Sequence, residues 1–171
     1  MKRAVAAAAI LAGASAAAGA AGLQDLEPAA GELGRPLVHY ATIARNDGSF
    51  RRFSVDASSL AAIEAGRPLP DGTAIAMETF YGPEGRSTVF VKEKRGEGWV
   101  YGSFEPGRPD WSVVKAKTVC HGCHVGAAVD LTFTLPSLAA FRAKGTVSRF
   151  LCDRSGRVPC DASLYDESAR R

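Results

Sequence analysis

The pattern of apolar and polar positions becomes informative only after residue 36. Residues 22–35 show no clear period and read as a leader, and Leu37 to Ile43 is a short apolar run that fits a strand or a helix turn equally well. Asn46-Asp47-Gly48-Ser49 is a turn cluster, and Phe50 to Val55 follows as a short strand. Asp56 stands where it can cap a helix over roughly Ala57–Ala65, with Gly66 beyond its end. Pro70-Asp71-Gly72 then turns the chain into a strand at Thr73–Tyr81. A second turn, Gly82-Pro83-Glu84-Gly85, leads to a strand at Ser87–Lys94, and Gly96-Glu97-Gly98 leads to a third at Trp99–Phe104. These segments are rich in β-branched and aromatic residues, so they predict an antiparallel meander. Pro106-Gly107-Arg108-Pro109 ends it. A helix is expected within Val113–His124 and another over Ser137–Lys144, and the polar tail from Ser163 is expected to fray. The expected fold class is α+β, a mainly antiparallel β-sheet with a few packed helices.

What precedes this pattern is of another kind. Lys2 and Arg3 are followed by an almost pure Ala run to Ala21, with small residues at Ala18 and Ala20 and a first acid at Asp25. A basic start, an apolar run and a small-residue exit describe a secretory signal peptide over residues 1–21. The run is short and weakly hydrophobic for a span, so no membrane span is expected in the mature chain. Loss of Lys2 and Arg3 lowers the formal net charge from +3 to +1, which excludes nucleic acid as a partner class on electrostatic grounds.

All four cysteines lie in the last third of the chain: Cys120, Cys123, Cys152 and Cys160. Residues 120–124 read Cys-His-Gly-Cys-His, the C-x-x-C-H spacing. Two thiols three residues apart can each add to one vinyl group of a single haem, and the following His is then held beside the porphyrin as an iron ligand. The expected cofactor is therefore haem c with its iron, tethered by Cys120 and Cys123 and ligated by His124. That attachment takes place outside the cytoplasm, in agreement with the exit signal. A tetrahedral zinc site would crowd Cys120, His121, Cys123 and His124 on one ion. A thioredoxin-like redox pair would open a βαβ unit, whereas this pair follows a meander. A short-loop disulfide would leave His124 without a role. Cys152 and Cys160 enclose a turn-rich loop and are expected to form a disulfide, the alternative being free thiols.

The sixth iron position separates electron transfer from small-molecule chemistry. Met77 is the one Met that outlasts the signal peptide, and His39 is the one His outside the motif. Alternation puts Ile75, Met77 and Thr79 on one strand face and Glu78 on the other, so Met77 points inward, either as core filler or as a distal iron ligand. Core filler is the preferred reading, with an open apolar pocket walled by Phe80, Phe90 or Phe104. Glu78, Glu93 and Glu105 are expected to face solvent.

The Pro70-Asp71-Gly72-Thr73 turn, the segment Trp99–Phe104, the Cys-x-x-Cys-His motif and Asp130-Leu131-Thr132-Phe133-Thr134 occur here in that order. Together they resemble the cytochrome P-460 family, which includes the cytochromes c′-beta, over roughly residues 36–135. The resemblance implies an antiparallel sheet with helices around it, one haem c, a five-coordinate iron with a proximal His matched by His124, and often a homodimer. Some members oxidise hydroxylamine and carry a Lys joined covalently to the haem; others lack that link and bind nitric oxide or related gases. Residues 74–81 contain no Lys, and Lys92, Lys94, Lys115 and Lys117 lie elsewhere with nothing to single them out. The expectation is thus a cytochrome domain over 36–140 with a C-terminal extension over 141–171. Its expected function is a periplasmic mono-haem protein binding nitric oxide or a similar small ligand, with a redox partner protein and homodimerisation as further expectations. The alternatives are a hydroxylamine-oxidising enzyme with a Lys-modified haem and a His/Met electron-transfer cytochrome, so whether the protein is an enzyme stays open.

Overall fold

A tight turn at Asn46–Gly48 starts the sheet by folding β1 (Leu37–Arg45) back onto β2 (Phe50–Asp56). Gly48 sits there at φ +77°, a conformation that costs glycine nothing, and its N–H donates to the Arg45 carbonyl at 3.1 Å. The computed structural model describes residues 34–82, 85–106, 118–156 and 158–165. The expected signal peptide, most of the leader, the Pro83-Glu84 turn, Gly107–Pro109, Lys115, Lys117 and the end of the tail lie outside the described residues.

From β2 the chain passes through α1 (Ala57–Leu60) to β3 (Ala74–Phe80), β4 (Arg86–Arg95) and β5 (Gly98–Phe104), each antiparallel to the last. Three elements complete the order: α2 (Thr118–His124), α3 (Leu135–Lys144) and β6 (Ser148–Cys152). The spatial order is β5-β4-β3-β2-β1-β6, with β6 parallel to β1. A parallel neighbour requires a crossover, and the stretch containing α3 supplies one. The fold is therefore α+β with a mainly antiparallel six-stranded sheet, and the ambiguous run at 37–43 is a strand.

One expectation about the elements needs correction. Asp56 does cap α1, accepting from the Ser59 N–H at 2.9 Å, but the helix ends after one turn instead of reaching Ala65. The buried Ile63 and Leu69 draw the chain off the helix axis into the core, and Arg142 satisfies the released Ala61 carbonyl at 2.9 Å. The stretch beyond 140 also supplies part of the sheet. Ser148, Phe150 and Cys152 alternate inward in β6, and Phe150 joins the main core.

That core lies on one face of the sheet, where Tyr40, Ile43, Val55, Ile75, Leu138 and Phe150 pack together. A bulge between His39 and Ala41 turns both Tyr40 and Ala41 toward it, and the Tyr40 hydroxyl hydrogen-bonds Thr134 Oγ1 at 2.7 Å. A smaller cluster of Leu37, Ala76, Val89, Val91 and Phe104 occupies the opposite face. On the main-core face α3 packs on β1 and β6, while α2 packs on β5. Between them the middle of the sheet carries a cleft. Among the described residues no helix is long and apolar enough to cross a membrane.

Candidate functional site

The cleft has a volume of about 360 Å³, and Phe53, Met77 and Phe90 from the three middle strands form its floor. Register makes this floor continuous, because Met77 pairs with Phe53 on one side and with Phe90 on the other. The alternation of β3 thus holds as read: Ile75, Met77 and Thr79 all line the cleft, with Met77 half-buried.

One wall is α2. Positions 120, 123 and 124 share a helix face because their spacings are three and four residues. Cys120, Cys123 and His124 all line the cleft, and neither cysteine is in a disulfide. The His124 ring lies between Tyr101 and Phe133, with centroids at 5.1 and 6.0 Å. Its Nδ1 donates to the Leu131 carbonyl at 2.7 Å, so the other nitrogen, Nε2, carries the free lone pair. Burial, with smaller contributions from Lys92 and His121, holds the imidazole below its ordinary pKa, and the bond to Leu131 opposes them. His124 is therefore a neutral, oriented donor. His121, between the cysteines, is exposed and sits edge-on to Tyr101.

The carbonyl that orients His124 is itself held in place. Asp130 and Leu131 both adopt φ of +50°, an unfavourable region for residues with a side chain. Bonds on every side maintain it. The Asp130 carboxylate accepts from Leu69 N at 2.8 Å, from Trp99 Nε1 at 3.2 Å and from Lys94 Nζ, while Thr132 Oγ1 donates to the Asp130 carbonyl at 2.8 Å. Lys92 donates to the Leu131 carbonyl at 2.9 Å and to Thr132 Oγ1, with its ammonium 3.9 Å from the Trp99 ring centroid. Burial pushes the Lys92 pKa down to about 7 against the pull of Asp130. Lys92 and Lys94 are thus the reverse of the solvated lysines expected: both are buried. The signal was present in the alternation of β4, where Phe90, Lys92 and Lys94 share a face; a strand with apolar residues on both faces hid which face was inside.

Other expectations shift as well. Phe90 lines the cleft, but Phe80 and Phe104 do not: Phe80 stacks on Phe50 at 4.3 Å and Phe104 joins the opposite cluster. The alternation that brings Met77 to the cleft sends both to the other face. Glu78 is not solvent-facing; it is 1% exposed and bonds Arg52 at 2.9 Å. Glu93 pairs with Arg35 and Arg95, and Glu105 is exposed as expected. His39 does not line the cleft, and its Nε2 is held by Thr42 Oγ1 at 2.9 Å and the Ala41 carbonyl.

The far end of the cleft is built around the disulfide expected from the sequence, by loop residues that sequence reasoning did not place at the site. Cys152 and Cys160 form a disulfide, and the loop they close presents Val158, Pro159 and Cys160 to the cleft. Arg45 fastens this loop through the Ser155 and Val158 carbonyls at 3.3 and 2.5 Å, and Arg51 through the Gly156 carbonyl at 2.7 Å. Tyr165 also lines the cleft, so the tail is ordered as a 3-10 turn over Ala162–Tyr165 instead of fraying from Ser163. Tyr101 contributes a buried hydroxyl that has no hydrogen-bond partner among the described residues.

Among the described residues no group of three His, Cys, Asp or Glu side chains converges as a metal site. Cys120, Cys123 and His124 are the side chains that could bind a tethered group in this cleft. No protein-family model matches the chain, and no curated protein matches it.

Proposed function

We propose that the protein is an exported mono-haem c-type cytochrome that binds nitric oxide or a similar small nitrogen-oxide ligand at a five-coordinate iron. The observation that carries this reading is the grouping on α2 of two cysteines outside any disulfide and a His whose Nδ1 is held by a carbonyl, so that Nε2 is the donor atom, all bordering an apolar cleft. The donor set fits the cofactor: haem c needs two thiolates for its vinyl groups and one protein nitrogen on iron, and the porphyrin fills four positions itself. Cys120 and Cys123 would tether it and His124 would be the proximal ligand. When bound, the iron supplies a site for a neutral diatomic.

The chain's own residues do the rest. Leu131 fixes the His124 tautomer, while Tyr101 and Phe133 restrict the ring. Phe53 and Phe90 keep the sheet side of the cleft apolar, which favours a neutral ligand over water or an anion. Arg51 lines the cleft from β2, three strands away from the β5 end where α2 packs. It would offer a cation to the carboxylates of a bound haem.

Hydroxylamine oxidation through a Lys-modified haem requires a lysine in the cleft. Lys92 lines it, but its amine is turned into Leu131 and Thr132. An electron carrier would use Met77, the thioether in the floor. One preparation separates the three: protein expressed with a haem c maturation system, reduced, and examined optically and by peptide mass. A broad high-spin spectrum that changes with nitric oxide, together with a complete set of Lys peptides, is the expected result. Sharp low-spin bands would point to Met77 on the iron, and a missing Lys peptide to the enzyme.

A further inference from the structure

His124 Nδ1 and Lys92 Nζ donate to the same carbonyl oxygen, that of Leu131, at 2.7 and 2.9 Å. A carbonyl has two lone pairs and can accept both, but each donor draws electron density that the other would otherwise use. We propose that Lys92 is a positioning residue for the iron, which competes for the Leu131 carbonyl and so limits how strongly His124 donates to the metal. The inference rests on the haem reading above and deepens it.

A proximal His whose Nδ1–H is bonded to a strong acceptor becomes a more basic ligand. Here the acceptor is blunted by an amine that is itself fixed on three sides. Trp99 lies against it, and Thr132 Oγ1 and the Leu131 carbonyl accept from it. The charged groups beside it are Asp130, which accepts from Lys94, and Lys94 itself. The left-handed backbone at Asp130 and Leu131 also finds an explanation: it is the conformation that offers one carbonyl to a helix residue and a strand residue together.

The test compares haem-loaded parent, Lys92→Met and Lys92→Gln. Lys92→Met removes the competing donor at nearly unchanged bulk, so the Fe–His stretching band of the ferrous protein should move to higher frequency. The reduction potential should fall by about tenfold in the redox equilibrium, which is about 59 mV for a one-electron couple. Lys92→Gln keeps an N–H donor without a charge and should hold the band at the parent frequency. A loss of stability alone would move neither readout. Identical bands and potentials in the parent and Lys92→Met would overturn the inference and leave the haem reading standing. A band that shifts equally in both variants would assign the effect to charge and also overturn it. If Lys92→Met fails to fold, a Lys92→Gln band displaced from the parent would be enough to overturn it. Absence of covalent haem in the parent would overturn both readings.

Discussion

Arg52 and Glu78 meet across β2 and β3 at 2.9 Å, their side chains 4% and 1% exposed, on the sheet face away from the cleft. Both charges have left water, so the pair offsets part of the cost of burying each. Glu78→Ala removes the carboxylate that faces the buried guanidinium and should lower stability by about 3–5 kcal/mol, whereas an Arg52→Met and Glu78→Leu double variant should come close to the parent. Urea unfolding of the three proteins checks this, and a double variant as weak as the single one would refute it.

Asp47 links the first turn to the disulfide loop. Its carboxylate accepts from the Ser49 hydroxyl at 2.5 Å, from Gly156 N at 2.6 Å and from Ser49 N at 3.0 Å, which hold its pKa at about 2. A carboxyl depressed on folding stabilises fully above its ordinary value of 3.8 and loses that contribution as the pH falls toward 2. Melting temperature should therefore drop between those limits. In Asp47→Asn that part of the profile should flatten.

Removing the disulfide releases a loop closed over eight residues of sequence. Loop-closure entropy puts the cost of a Cys152→Ala and Cys160→Ala double variant at about 2–3 kcal/mol. Arg45 and Arg51 still grip the loop carbonyls, so the end of the cleft should stay formed. Denaturation with and without reductant measures the cost; a protein indifferent to reductant would contradict it.

His124→Ala and Met77→Ala probe opposite sides of the cleft. On the proposed haem reading, replacing His124 should leave haem on Cys120 and Cys123 but alter its spin state, while replacing Met77 should leave the parent spectrum in place. A high-spin conversion in Met77→Ala alone would instead make Met77 the sixth ligand.

A short amphipathic segment reveals its own period but not its neighbours. Alternation in β3 told that Met77 and Ile75 share a face, and the turn residues told where β3, β4 and β5 begin. The C-x-x-C-H spacing told which side chains a single helical turn would group, and α2 does group Cys120, Cys123 and His124. All of these are local quantities, decided within a few residues of chain.

What reaches across the chain was decided only by tertiary structure. Nothing near Lys92 in sequence says that Leu131 and Trp99 will receive it, and nothing near Glu78 foretells Arg52. A buried charge is stable only where a distant partner meets it, so its burial cannot be read from its own segment. Likewise β6 becomes a strand because β1 has a free edge, and the loop of Cys152–Cys160 becomes a cleft wall because Arg45 and Arg51 bind its carbonyls. The motif behind the proposed tether and ligand is five consecutive residues; the shape of the cleft, and the carbonyl that aims His124 into it, came from pairings between segments far apart in the chain.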